Sequence, residues 1–380
     1  MAQKKKRSQI VIVFIIFVIY FLVAAKPIPL ETILAQKWIS SLTNSDVYDN
    51  DPENPSSVNI SGQLLPFTLG SHFGYVDTLG QFAINRIKTN DIYLSRNMWT
   101  EYSINPANIV INNILDDTEI VVANTRGYPI LLNNRIFILG SDQNSLSEVD
   151  NRGNVMWTYE FGAPITCIDA AADLVLTGSI DGVIEVFNYY GERIFYFEPG
   201  GSRYSVILGC TISSDGSYIG IICGVDTQRF LLFERFGSAG GEYKVVYHEF
   251  LETGFRRPVY ISFIDDDSRI VFERAGGIGC YSIKSRRGIN IPLDGNITAI
   301  DDSGGQGFFF VITSHPEQEK RLIGIRFPHD RLFGLSRTNA RDSIFIRASF
   351  KSDDVFFGRT GSMLVAGGGS TLISFDLEEN

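Results

Sequence analysis

Residues suited to chemistry are few in this chain, and they are scattered. The four histidines, His72, His248, His315 and His329, share no metal-ligand spacing such as His-Glu-x-x-His, in which neighbouring turns of one helix hold zinc. No Gly-x-Ser-x-Gly elbow presents an activated serine. Two glycine-rich runs, AGGIG at residues 275–279 and AGGGS at 366–370, each precede a strand pattern instead of opening a helix. They read as turns, not as phosphate loops. What stands out is two arginine pairs, Arg256 and Arg257 in GFRRPVY, and Arg286 and Arg287 in KSRRGIN. Guanidinium groups bind carboxylates through paired hydrogen bonds. These four residues are therefore the candidate contacts for an acidic partner, and no residue is assigned to catalysis, a cofactor or a metal. The expectation is a non-enzymatic protein without cofactor.

Composition narrows the partners further. Of 380 residues, 33 are basic and 43 acidic. The first 26 hold five basic residues and no acid, so the remainder carries 28 basic against 43 acidic groups. That sign argues against nucleic acid, whose phosphates need the opposite charge. The hydrophobic share, 44%, is ample for a large core, and 36 glycines supply many turns. Four widely spaced cysteines, Cys167, Cys210, Cys223 and Cys280, read as small buried side chains, with a Cys210–Cys223 bridge as the alternative.

The elements that would position such residues repeat. LGSDQNSLSEVDNRGNVMW, starting at Leu139, aligns without a gap on TGSIDGVIEVFNYYGERIF, starting at Thr177. In both, an alternating apolar strand ends in Asp or Asn, and a glycine follows three residues later: Asp150 and Gly153, Asn188 and Gly191. GYVDTLGQF repeats the pattern with Gly80. The Asp or Asn opens a turn, and the glycine takes the positive φ that the turn requires, so Gly191→Asn is expected to be milder than Gly191→Val. Acidic turns also recur, at Asp116–Asp117, Asp169 and Asp173, Asp215, Asp265–Asp267, Asp301–Asp302 and Asp353–Asp354. None has the dense spacing of a calcium loop. Intervals of about 35 to 55 residues fit units of four short strands. Six acidic turns and an earlier unit at residues 64–99 imply about seven units. The fold class expected is all-β, a propeller of about seven four-stranded blades, with a strand near residues 60–67 helping to close the ring.

SSDGSYIGIICGVDTQRFLLFE resembles a WD40-type unit, and GSIDGVIEVFNYYGERIF and DNRGNVMWTYEFGAPI resemble the quinoprotein-type repeat. The resemblance to that superfamily covers residues 60–378 and implies architecture more than function. In size and repeats the chain is also similar to the periplasmic propeller subunit of the outer-membrane β-barrel assembly machinery, which implies a scaffold binding other proteins. A ligand in the central channel is the alternative.

The N-terminus carries an address. Four basic residues, Lys4 to Arg7, precede an unbroken apolar run from Ile10 to Ala25. This pattern predicts a cytoplasmic stub at residues 1–8 and a transmembrane signal-anchor at 9–26, with cleavage after Ala25 as the alternative. Residues 27–59 read as a short amphipathic helix and a flexible linker, and 60–380 as the propeller. The resulting expectation is a single-pass inner-membrane protein with its propeller on the extracytoplasmic side, binding other proteins of the cell envelope.

Overall fold

The computed structural model describes residues 32–43, 63–104, 106–237, 241–252, 254–301, 307–327, 343–360 and 363–379. The chain divides into two units. The first comprises residues 1–35 and 377–380; its described residues are the ends of two strands. The second, residues 36–376, is a β-propeller.

Apolar runs of four to nine residues broken by Gly, Asp and Asn turns produce eight sheets, seven of four antiparallel strands and one of three, among the described residues. Blade 1 spans residues 65–87 and is the three-stranded one. Blades 2 to 7 span 91–123, 127–160, 165–197, 207–251, 261–292 and 296–351. Blade 8 takes three strands from residues 355–379 and its outermost strand from Thr32–Ser41. Within blades 1 to 7 the first strand in sequence lies innermost and the last outermost. In blades 2 to 8 each inner strand begins on what we term the upper face, with the connections between blades and the turns between second and third strands. Blade 1 is reversed, its inner strand beginning at the lower face, where Gln63 meets Thr360 (2.6 Å), and its Gly70 turn lying on the upper. The remaining turns lie on the lower face.

Burial follows this radial order. The inner strand of blade 5 (Ile207–Ile212) and the second strand of blade 4 (Leu174–Ser179) are buried throughout, whereas the outer strand of blade 3 (Val155–Glu160) is largely exposed. A strand covered on both faces by neighbouring blades needs a continuous apolar run, not alternation. Ile184 and Val186 of blade 4 thus pack with Ile219, Ile221 and Phe233 of blade 5. Phe230 of blade 5 stacks on Phe272 of blade 6 at 4.5 Å between ring centroids. Each such side chain contributes about 1.5–3 kcal/mol on burial. Blades 7 and 8 meet differently: Phe310 faces Phe357 at 5.5 Å, and the Arg359 guanidinium lies 3.6 Å from the Asp301 carboxylate.

Three expectations are corrected. The blade count is eight, not about seven, because acidic turns are not equivalent markers. Asp169, Asp215, Asp265 and Asp301 sit where first strands end, but Asp116 lies between third and outer strands and Asp353 between blades. In blade 3 the first turn is made by Asn133 and Asn134, both at positive φ, and escaped the acidic tally.

Secondly, Thr32–Ser41, expected as a helix, is the strand that completes blade 8, and Leu65–Leu69 is the inner strand of blade 1. Trp38 donates its indole N–H to the Thr78 carbonyl (3.1 Å), and Lys37 pairs with Asp376 (2.9 Å). Such tertiary contacts override weak helical propensity.

Thirdly, no helix among the described residues is long and apolar enough to cross a membrane. The expected single-pass inner-membrane placement is therefore not supported. Residues 9–26, expected to span, lie outside the described residues, as do residues 44–59 of the expected linker.

Candidate functional site

The repeated turns have a structural task. In GYVDTLGQF, EVDNRGNV and VFNYYGER the Asp or Asn carboxyl or amide oxygen accepts two backbone N–H groups. Asp77 takes those of Leu79 and Gln81 (2.9 and 2.8 Å), Asp150 those of Arg152 and Asn154 (both 2.8 Å), and Asn188 those of Tyr190 and Glu192 (both 3.0 Å). Gly80, Gly153 and Gly191 follow at φ of 83°, 82° and 76°. Each also faces the outer strand of the preceding blade. A β-carbon on Gly80 would reach Trp38, on Gly153 the Val121 carbonyl, and on Gly191 the Trp157 ring at 2.5 Å. The motif thus sets the turn and seats one blade on the last. Asp215 closes the first turn of blade 5, accepting from Ser213 Oγ and Ser217 N (both 2.8 Å).

Acidic turns also join successive blades on the lower face. Asp169 of blade 4 accepts from Thr211 Oγ1 (3.0 Å) and Ile212 N (2.9 Å) of blade 5. Asp267 of blade 6 accepts from Ser214 N of blade 5 (2.7 Å). These carboxylates are structural latches.

The histidines do not converge. His72 shares a hydrogen bond with Asn85 in blade 1, His248 lies on the outer strand of blade 5 against Phe250, and His315 contacts Thr313 in blade 7. His329 lies outside the described residues. The two glycine-rich runs are hairpin turns, with Gly276 and Gly369 at positive φ. All four cysteines are free thiols. Cys210 pairs across the strand with Ile221, and Cys223 with Ile207, so these two do not face one another. Cys210 instead borders Cys167, and burial pushes its thiol well up from the usual range.

The two arginine pairs do not form one patch. Arg286 and Arg287 lie at the lower face, in the last turn of blade 6, where Arg286 is 3.8 Å from Glu234. Arg256 and Arg257 lie at the upper face, in the connection from blade 5 to blade 6. There they border a hollow of about 610 Å³ lined by blades 4 and 5 and the link into blade 6.

Blade 4 supplies Thr166 and Ile180 to this hollow. The connection into blade 5 supplies Tyr204 and Val206, the inner strand of blade 5 Ile207 and Leu208, and its upper turn Val225 and Asp226; Pro258 follows the arginines. Its polar groups are mostly engaged. Thr166 Oγ1 donates to the Ile207 carbonyl at 2.6 Å. Asp226 accepts from Ser202 Oγ and from Arg203 N (3.3 Å), and the Ser202 bond holds its carboxyl down to about 2. Arg257 forms a two-pronged pair with buried Glu273 (Nη1 to Oε2 3.0 Å), which raises its already high basicity, and covers the Phe255 ring at 4.7 Å. Arg256 has no ion pair among the described residues. At the rim Tyr204 and Ile180 are 55% and 51% exposed.

Sequence reasoning singled out Arg256 and Arg257 but missed the apolar lining. The available signal was connection length. The links into blades 5 and 6 run over residues 198–206 and 252–260, against 161–164 into blade 4. Long links on a rigid scaffold are where binding surfaces are built.

Comparison with known proteins agrees with the geometry. A family model described as beta-propeller protein matches residues 1–366. An uncharacterized protein of Treponema pallidum (strain Nichols) is 27% identical over 377 residues, covering 98% of this chain and 93% of that one. Among solved structures, the computationally designed Ika8 protein gives a TM-score of 0.59 at 11% identity, over 83% of this chain and 94% of its own. BamB from Moraxella catarrhalis gives 0.54 at 10% identity, over 90% of this chain and all of its own. At such identities the structural likeness shows the fold alone.

Proposed function

The chain belongs to the beta-propeller protein family, and from that premise we propose that it is a non-catalytic protein-interaction module whose upper face receives a partner protein. The observation that supports this is the hollow between blades 4 and 5 and the link into blade 6, with its exposed Tyr204 and Ile180 rim. Aromatic and arginine side chains around an apolar pocket are the composition of interaction hot spots. Among the described lining residues there is no histidine or cysteine, and the Thr166 hydroxyl is engaged with backbone, which favours binding over catalysis.

A small-ligand reading draws on volume, since about 610 Å³ falls in the range of small-molecule sites. The Tyr204 and Ile180 side chains, which line the hollow yet are 55% and 51% exposed, favour a larger occupant. The test is chemical crosslinking in the native cells, comparing the protein with its Tyr204→Ser/Ile180→Ser variant. We expect a stoichiometric protein partner that the double variant loses. Equal recovery by both, or a co-purified small molecule with no protein, would reject the reading.

A further inference from the structure

We propose that the upper-face hollow takes a peptide segment in which a bulky apolar side chain stands beside a carboxylate. The apolar side chain enters between Val206, Leu208 and Val225, and the carboxylate pairs with Arg256. This rests on the interaction reading above and adds the chemistry of the partner.

Three charged side chains line the hollow. Asp226 is engaged by Ser202 and Arg203 N, and Arg257 by Glu273. Arg256 is exposed, without an ion pair among the described residues, and free to bind an anion. Asp226 stays an anion and Arg257 is paired with Glu273, so Arg256 is the group lining the hollow that can pair with a carboxylate. The rest of the lining is apolar apart from the engaged Thr166 hydroxyl and the Tyr204 phenol, so the body that accompanies the carboxylate is apolar. A small amphipathic anion would fill the hollow but cover only the sides of Tyr204 and Ile180 that line it, although the two are 55% and 51% exposed. A peptide continuing past the hollow covers both.

An array of hexapeptides Gly-Ser-X-Y-Ser-Gly, with every residue at X and Y, probed with the full-length protein, tests this. Enrichment is expected for Phe, Leu, Ile or Trp beside Asp or Glu. Arg256→Glu should lower binding of those peptides by about tenfold, a change of about 1.4 kcal/mol, while Arg256→Lys should retain most of it. Because Arg256 is exposed, both variants should keep the native melting temperature, which is measured alongside. Decanoate serves as competitor, and decanoate binding tighter than any peptide would overturn the peptide occupant. No enrichment over Gly-Ser controls, or enrichment unaffected by Arg256→Glu, would overturn the assignment. If the crosslinked partner is still lost in Tyr204→Ser/Ile180→Ser, the interaction reading survives that failure.

Discussion

Gly191 combines two constraints that are usually separate. Its φ of 76° excludes most side chains, and the Trp157 ring leaves no space for a β-carbon. Strain alone costs about 1–3 kcal/mol, and overpacking adds about as much. Gly191→Val and Gly191→Asn are therefore both expected to destabilise by at least about 2 kcal/mol, measured by denaturant unfolding. Gly200→Ala, where nothing lies within 4 Å and φ is not positive, should be near neutral. The turn itself was legible, since Asp or Asn three residues before Gly has one local explanation. The Trp157 ring against Gly191 was not legible, because it belongs to the preceding blade and no local pattern places it there. The same limit applies to the site. A lone arginine pair is visible in sequence, whereas Val206, Leu208 and Val225 look like any strand-end apolar residues until the blades bring them together.

At the scale of elements, two contacts outside the repeat hold blade 8. The Arg359 and Asp301 side chains are 3% and 1% exposed. Breaking such a pair leaves one buried charge, so Arg359→Met alone should cost about 3–5 kcal/mol. Arg359→Met with Asp301→Leu should recover most of that loss. A double-mutant cycle on unfolding free energies reads the coupling, and additive losses would contradict it. The strand Thr32–Ser41 completes the same blade from the other end of the chain. A chain beginning at Gln63 should melt at a lower temperature and be restored by a peptide of residues 32–43 supplied in trans. Repeats made the other blades readable, because each writes its own turns. This strand lacks them, and its partner, Thr371–Glu379, lies more than 300 residues away.

The propeller unit presents two unlike faces. The lower carries the latching carboxylates and the repeated turns, and the upper carries the long links, the hollow and Arg256. On an acidic protein, association through Arg256 should weaken as salt shortens the Debye length from about 10 Å at 0.1 M. Partner affinity measured from 0.05 to 0.5 M salt should therefore fall for the native protein and stay flat for Arg256→Ser. The most direct test compares the faces. A photo-crosslinking amino acid is placed at Tyr204 on the upper face or at Tyr190 on the lower, both exposed, at 55% and 76%. Protein adducts are then read in the native cells. Adducts from position 204 and none from 190 are the predicted result; adducts from 190 alone, or equally from both, would contradict an upper-face interaction site.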